Sequence, residues 1–69
     1  MNEAKIKVSG MNCNHCKIII ENGISKIHGI ELATADIVNG EVTIKGKEIN
    51  LEEVKDTIED LGYTYSGEL

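Results

Sequence analysis

Proline, tryptophan, phenylalanine and arginine are all absent from this 69-residue chain, and its aromatic side chains are Tyr63 and Tyr65 alone. A core must therefore be built from aliphatic residues, chiefly isoleucine, within an apolar share of 41%. Positive charge is scarce: lysines number 7 against 12 carboxylates, a net charge of −5. That balance argues against nucleic acid or an anionic membrane surface as a partner. Long apolar runs are missing as well. The longest, Ile18 to Ile20, is far short of the roughly 20 residues that span a bilayer, and no charged-then-apolar leader opens the chain. A soluble cytoplasmic protein is expected. Cysteine is limited to Cys13 and Cys16, whose bridge would close too small a loop to staple a fold. In a reducing compartment both thiols stay free, and their value is chemical.

What is present reads as one domain over residues 1–69, small enough that roughly 60% of the unfolded surface is buried on folding. Residues 3 to 8 alternate, Ile6 and Val8 one way and Lys5 and Lys7 the other, which predicts a half-buried strand ended by Ser9-Gly10. From Asn14 to Ile27 the apolar period changes to that of a helix, with Cys16, Ile20, Gly23, Ile24 and Ile27 on one face. Ile19 falls on its flank and Ile18 on the exposed side. Gly23 on the inner face suggests a close approach of sheet backbone, and Gly29 is the expected stop after His28.

Asn39-Gly40 between two alternating segments predicts a hairpin joining 30–38 to 41–45, with the facing of Leu32 unsettled. Asn50, followed three positions on by Glu53, opens a second helix that carries Leu51, Val54, Ile58 and Leu61 inward. Gly62 stops it and Tyr63 to Ser66 form a last strand. Its acidic run, Glu52, Glu53, Asp56, Glu59 and Asp60, reads as a solvated helix face. Strand, helix, hairpin, helix, strand is an α+β order of the split βαββαβ kind, with two helices on one face of a four-stranded antiparallel sheet. Such a topology brings Tyr63 to the same end as Cys13 and Cys16.

Cys-x-x-Cys where a strand gives way to a helix supports several chemistries. Two thiolates suit a soft monovalent ion such as Cu(I), with helix-terminal amides favouring their ionised form. A closed zinc site needs four ligands, and no second cysteine pair is available. His15 lies inside the motif but projects away from the Cys16 side, as a solvent-facing residue that tunes the site or meets a partner, with direct ligation as the alternative. His28 has no companion ligands and reads as a surface residue. A dithiol oxidoreductase is the rival, although the lack of proline and tryptophan sets the chain apart from thioredoxin-like enzymes. Two buried structural cysteines are the bland reading, which the polar Asn12-Cys13-Asn14-His15 context disfavours.

Gly10-Met11-Asn12-Cys13-Asn14-His15-Cys16, the periodic helix behind it, Gly29-Ile30, Asn39-Gly40-Glu41-Val42-Thr43-Ile44 and Ile58-Glu59-Asp60-Leu61-Gly62-Tyr63 together resemble the heavy-metal-associated domain family of bacterial copper chaperones. Amino-terminal domains of copper-transporting P-type ATPases are similar in pattern. The resemblance covers nearly the whole chain. It implies a ferredoxin-like fold, Cu(I) held by Cys13 and Cys16, and delivery by ligand exchange to a copper-transporting P-type ATPase, a copper-responsive regulator or another metal-domain protein. Met11 matches a methionine that packs beneath the metal loop without ligating, and Tyr63 a residue that approaches the site from the loop before the last strand. Asn12 stands where Thr or Ser is usual; zinc- and cadmium-transporting relatives often carry aspartate there, so its neutral amide favours copper, with mercury left open. Ile18 and Ile19 are more apolar than the family pattern. These expectations describe a carrier and not an enzyme, monomeric without metal, with metal-bridged dimerisation open. An initiating methionine and an end just after the last strand point to a free-standing protein, with a domain of a larger metal-transporting ATPase as the alternative.

Overall fold

The computed structural model describes residues 2–69; Met1, on which the expectation of a free-standing chain partly rests, lies outside them. Alternating residues of β1 (Asn2–Ser9) bury Ala4, Ile6 and Val8 and leave Lys5 and Lys7 exposed. Its neighbours are β3 (Glu41–Gly46), where Val42 and Ile44 are fully buried, and β4 (Thr64–Glu68). β2 (Ile30–Asp36) pairs with β3, giving the antiparallel order β2-β3-β1-β4. Helix α1 (Asn14–Ser25) contributes Ile20 and Ile24 to the core, and α2 (Leu51–Asp60) contributes Val54 and Ile58. Both helices therefore cover the face that carries Ile6, Val8, Val42 and Ile44, as a ferredoxin-like βαββαβ fold requires.

Local chemistry explains the boundaries. Asn50 caps α2 by accepting from Glu52 N at 3.0 Å and Glu53 N at 3.4 Å, which satisfies two of the helix's otherwise unpaired donors. α1 stops at Ser25 with Lys26 as its C-cap, three residues before Gly29 and short of the expected Ile27. The last strand begins one residue later than expected and runs two further, to Glu68, which leaves Tyr63 in the preceding loop.

Three sequence expectations are corrected. The β2–β3 connection is not a two-residue Asn39-Gly40 turn: Asp36 pairs with Glu41, so residues 37–40 form a four-residue loop. The Asp36 carboxylate accepts from Asn39 N at 3.2 Å and Asn39 Nδ2 at 2.8 Å, and of the two turn residues Gly40 alone has positive φ, +67°, whereas a tight primed turn needs both. Leu32 takes the outer face given by its alternation with Ala33, at 51% exposure, and a register shift between Ile30 and Leu32 lets Ile30 face inward as well. Gly23 meets not sheet backbone but α2's end: a Cβ there would lie 2.8 Å from Leu61 Cδ1 and 3.6 Å from Thr57 Cγ2. Leu61 itself is the C-cap of α2 and 36% exposed, so it closes the helix pair from the side without entering the core.

Candidate metal centre

Between β1 and α1 the chain turns sharply at Gly10, whose φ of +96° suits a residue without Cβ. Met11 follows and is pressed into the core at 6% exposure, among Val8, Ile20 and their neighbours. One end of the loop is thereby pinned. The next four residues, Asn12 to His15, are exposed, and Cys16 is half-buried against the core.

Cys13 is the N-cap of α1 in an extended conformation, φ −156° and ψ 166°, and among the described residues no side chain caps the helix there. Its sulfur lies 3.1 Å from that of Cys16, well beyond a disulfide bond of about 2.05 Å, and both cysteines are free. The Cys16 thiol also donates to Asn12 Oδ1 at 3.8 Å, which gives the motif's asparagine a contact with the second sulfur. The loop after α2 brings Tyr63 in beside it, half-buried, its ring 3.5 Å from where a Gly10 Cβ would stand.

Proximity changes the acidity of these groups. The Tyr63 hydroxyl donates toward Cys16 and is the largest cause holding that thiol down to about 7 from an ordinary 9.0; Cys13 and the backbone of Asn12 act in the same direction. In return the Tyr63 phenol is pushed up to about 12, first by that same bond to Cys16 and then by burial. At neutral pH the site thus holds a readily ionised thiol beside a hydroxyl that keeps its proton.

Met11, Asn12, Cys13, Cys16 and Tyr63 are brought together at one end of the sheet, whereas His15 stays on the exposed first turn. Among the described residues, no group of three or more His, Cys, Asp or Glu side chains converges as a metal cage. His28 is exposed at the other end of the strands, where a hollow of about 450 Å³ is lined by His28, Gly29, Ile30, Glu31, Lys47 and Glu48, remote from the thiols. In sequence Gly10 ends the first strand and opens the quoted motif; its place against the Tyr63 ring is carried by no further signal. Among the described residues, no helix is long and apolar enough to cross a membrane.

The sequence matches the heavy-metal-associated domain over residues 5–64. The copper chaperone CopZ of Staphylococcus aureus is 34% identical over 65 residues, covering 91% of this chain and 96% of that protein. A solved CopZ metallochaperone superposes with a TM-score of 0.89 at 31% identity, covering 94% of this chain and 100% of the other. The yeast copper transporter domain CCC2A, solved in apo and Cu(I)-loaded states, shares the fold at a TM-score of 0.91 and 23% identity, covering 100% of this chain and 96% of that one. Matched over most of its length in sequence and in fold, the chain belongs to the heavy-metal-associated domain family.

Proposed function

We propose that this chain is a cytosolic copper chaperone: it carries Cu(I) between Cys13 and Cys16 and delivers it by thiolate exchange to the metal domain of a copper-transporting P-type ATPase or to a copper-responsive regulator. The observation that carries this reading is the pair of free sulfurs 3.1 Å apart on an exposed loop that is pinned below by Met11. Metal–sulfur bonds of roughly 2.3 Å on opposite sides of an ion need sulfurs more than about 4 Å apart. Rotation of the exposed Cys13 side chain supplies that opening while Cys16, backed by the core, stays in place. Soft thiolates select Cu(I) over harder ions, and two suffice for a low-coordinate complex. Copper chaperone relatives at 34% identity over 91% of the chain support the same cargo.

Transfer follows from the exposure of the loop. An incoming thiolate of the partner adds to the ion through a three-thiolate intermediate, and the first bond to leave is that of the more accessible Cys13. The second partner thiolate then displaces Cys16, so each copper–sulfur bond broken is matched by one formed. Competitive titration of the reduced protein with Cu(I) and Zn(II) tests the proposal. Tight Cu(I) binding lost in Cys16→Ser is the expected result; its retention, or a preference for Zn(II), overturns the reading.

One observation favours the dithiol oxidoreductase: a Cys16 thiol at about 7 is a competent nucleophile. Turnover in a disulfide-reduction assay by the metal-free protein would establish it. The carrier reading expects none.

A further inference from the structure

β2 forms one border of the sheet, so one side of its backbone has no neighbouring strand. In an antiparallel ladder, alternate residues bond across to the partner while those between point their N–H and C=O groups outward. Ala35 belongs to the outward set: its N–H donates to Glu21 Oε2 at 2.7 Å. By the period of two, Ala33 faces the same way. Glu21 is half-buried on the flank of α1, and Lys17, one turn earlier, is near enough to Asp36 to help hold that carboxyl low, behind the larger effect of Asn39. The two side chains thus run beside the upper half of β2. The opposite border is blunted differently: β4 is five residues long, its pairing shifts between Lys7 and Val8, and Gly67 stands at φ +116°.

We propose that Glu21 guards the β2 edge against a second copy of this chain. Antiparallel addition of two β2 strands about Thr34 is self-complementary, because Ala33 of each strand falls opposite Ala35 of the other and the pair exchanges both main-chain bonds. In the native chain the Glu21 carboxylate occupies the Ala35 donor, so two of those four bonds are unavailable. The same approach forces two carboxylates together across the axis. An exposed edge is open to strand addition unless something blocks it, and here the block is a single side chain supplied by the packed helix.

The test uses the full chain, reduced and treated with a chelator, so that neither a metal bridge nor a disulfide can join two copies. Glu21→Ala is expected to speed amide exchange at Ala35 and to raise self-association by about tenfold or more in sedimentation velocity, because two main-chain donors, one from each copy, return to the interface. A Glu21→Ala protein that stays folded and monomeric at concentrations up to the millimolar range overturns the proposal. So does a dimer whose protected amides map away from Ala33 to Ala35. Should Glu21→Ala fail to fold, Glu21→Met carries the test: it keeps the length of the side chain but offers Ala35 no carboxylate. Association above that of the native chain supports the guard, and a folded monomer up to the millimolar range overturns it.

Discussion

Replacing Tyr63 by phenylalanine removes one oxygen and leaves the ring on Gly10, so it isolates the hydroxyl's effect on Cys16. With that thiol at about 7, half of it is ionised at pH 7. Were every influence lost, a thiol at 9.0 would be about one part in a hundred ionised at the same pH. Tyr63 is the largest of several causes, and Cys13 and the Asn12 backbone remain, so the variant falls between these limits. Alkylation of Cys16 against pH, resolved by mass spectrometry, should show a midpoint moved upward from about 7 but short of 9.0. Copper loading at pH 7 provides a second reading: Cys16 releases about half a proton in the native protein and closer to one in Tyr63→Phe. The sign for stability follows. Because the folded-state value is depressed, Cys16 ionisation favours the native state fully above about pH 9, and that contribution is lost as pH falls through about 7. An unchanged alkylation midpoint in Tyr63→Phe would refute the assignment.

Asn50→Ala leaves the Glu52 and Glu53 amides without their acceptor and should cost about 1 kcal/mol, lowering Tm by roughly 4–8 °C in a thermal melt, with Asn50→Asp largely restoring it. Ile20 is fully buried, so Ile20→Ala should cost roughly 2–5 kcal/mol in a domain whose core supplies about that much; urea denaturation should find the metal-free variant largely unfolded. Gly23→Ala adds about 1 kcal/mol of helix propensity but crowds Leu61, whose partly exposed side chain can swing outward; the net change in urea midpoint should be small, and Leu61→Ala in the same chain should uncover the helical gain.

Periodicity made most of the fold legible. The alternation of Ile6 and Val8 placed β1, the spacing of Ile20 and Ile24 placed α1, and Asn50 with Glu53 marked the start of α2. Topology then carried Tyr63 to the cysteines although 47 positions of sequence separate it from Cys16. What escaped depends on side chains that override local preference. Asn39-Gly40 reads as a tight turn until the Asp36 carboxylate, two residues before Val38, captures Asn39. Ile30 shares the parity of outward Leu32, and it turns inward only because a bulge between them resets the phase. Gly23 reports a contact with Leu61, which no local pattern reveals, and the Glu21 bond to Ala35 joins residues 14 apart through packing alone.

The uncapped start of α1 bears on the carrier function proposed above. A helix normally begins with a side-chain oxygen on its first free amides, and here a cysteine occupies that position without making such a bond. A Cu(I) ion with two thiolates carries a net negative charge, so the loaded loop supplies the anion that the bare helix start lacks. On the carrier reading proposed above, the full and the empty loop then differ in the charge that they present to a receiving domain.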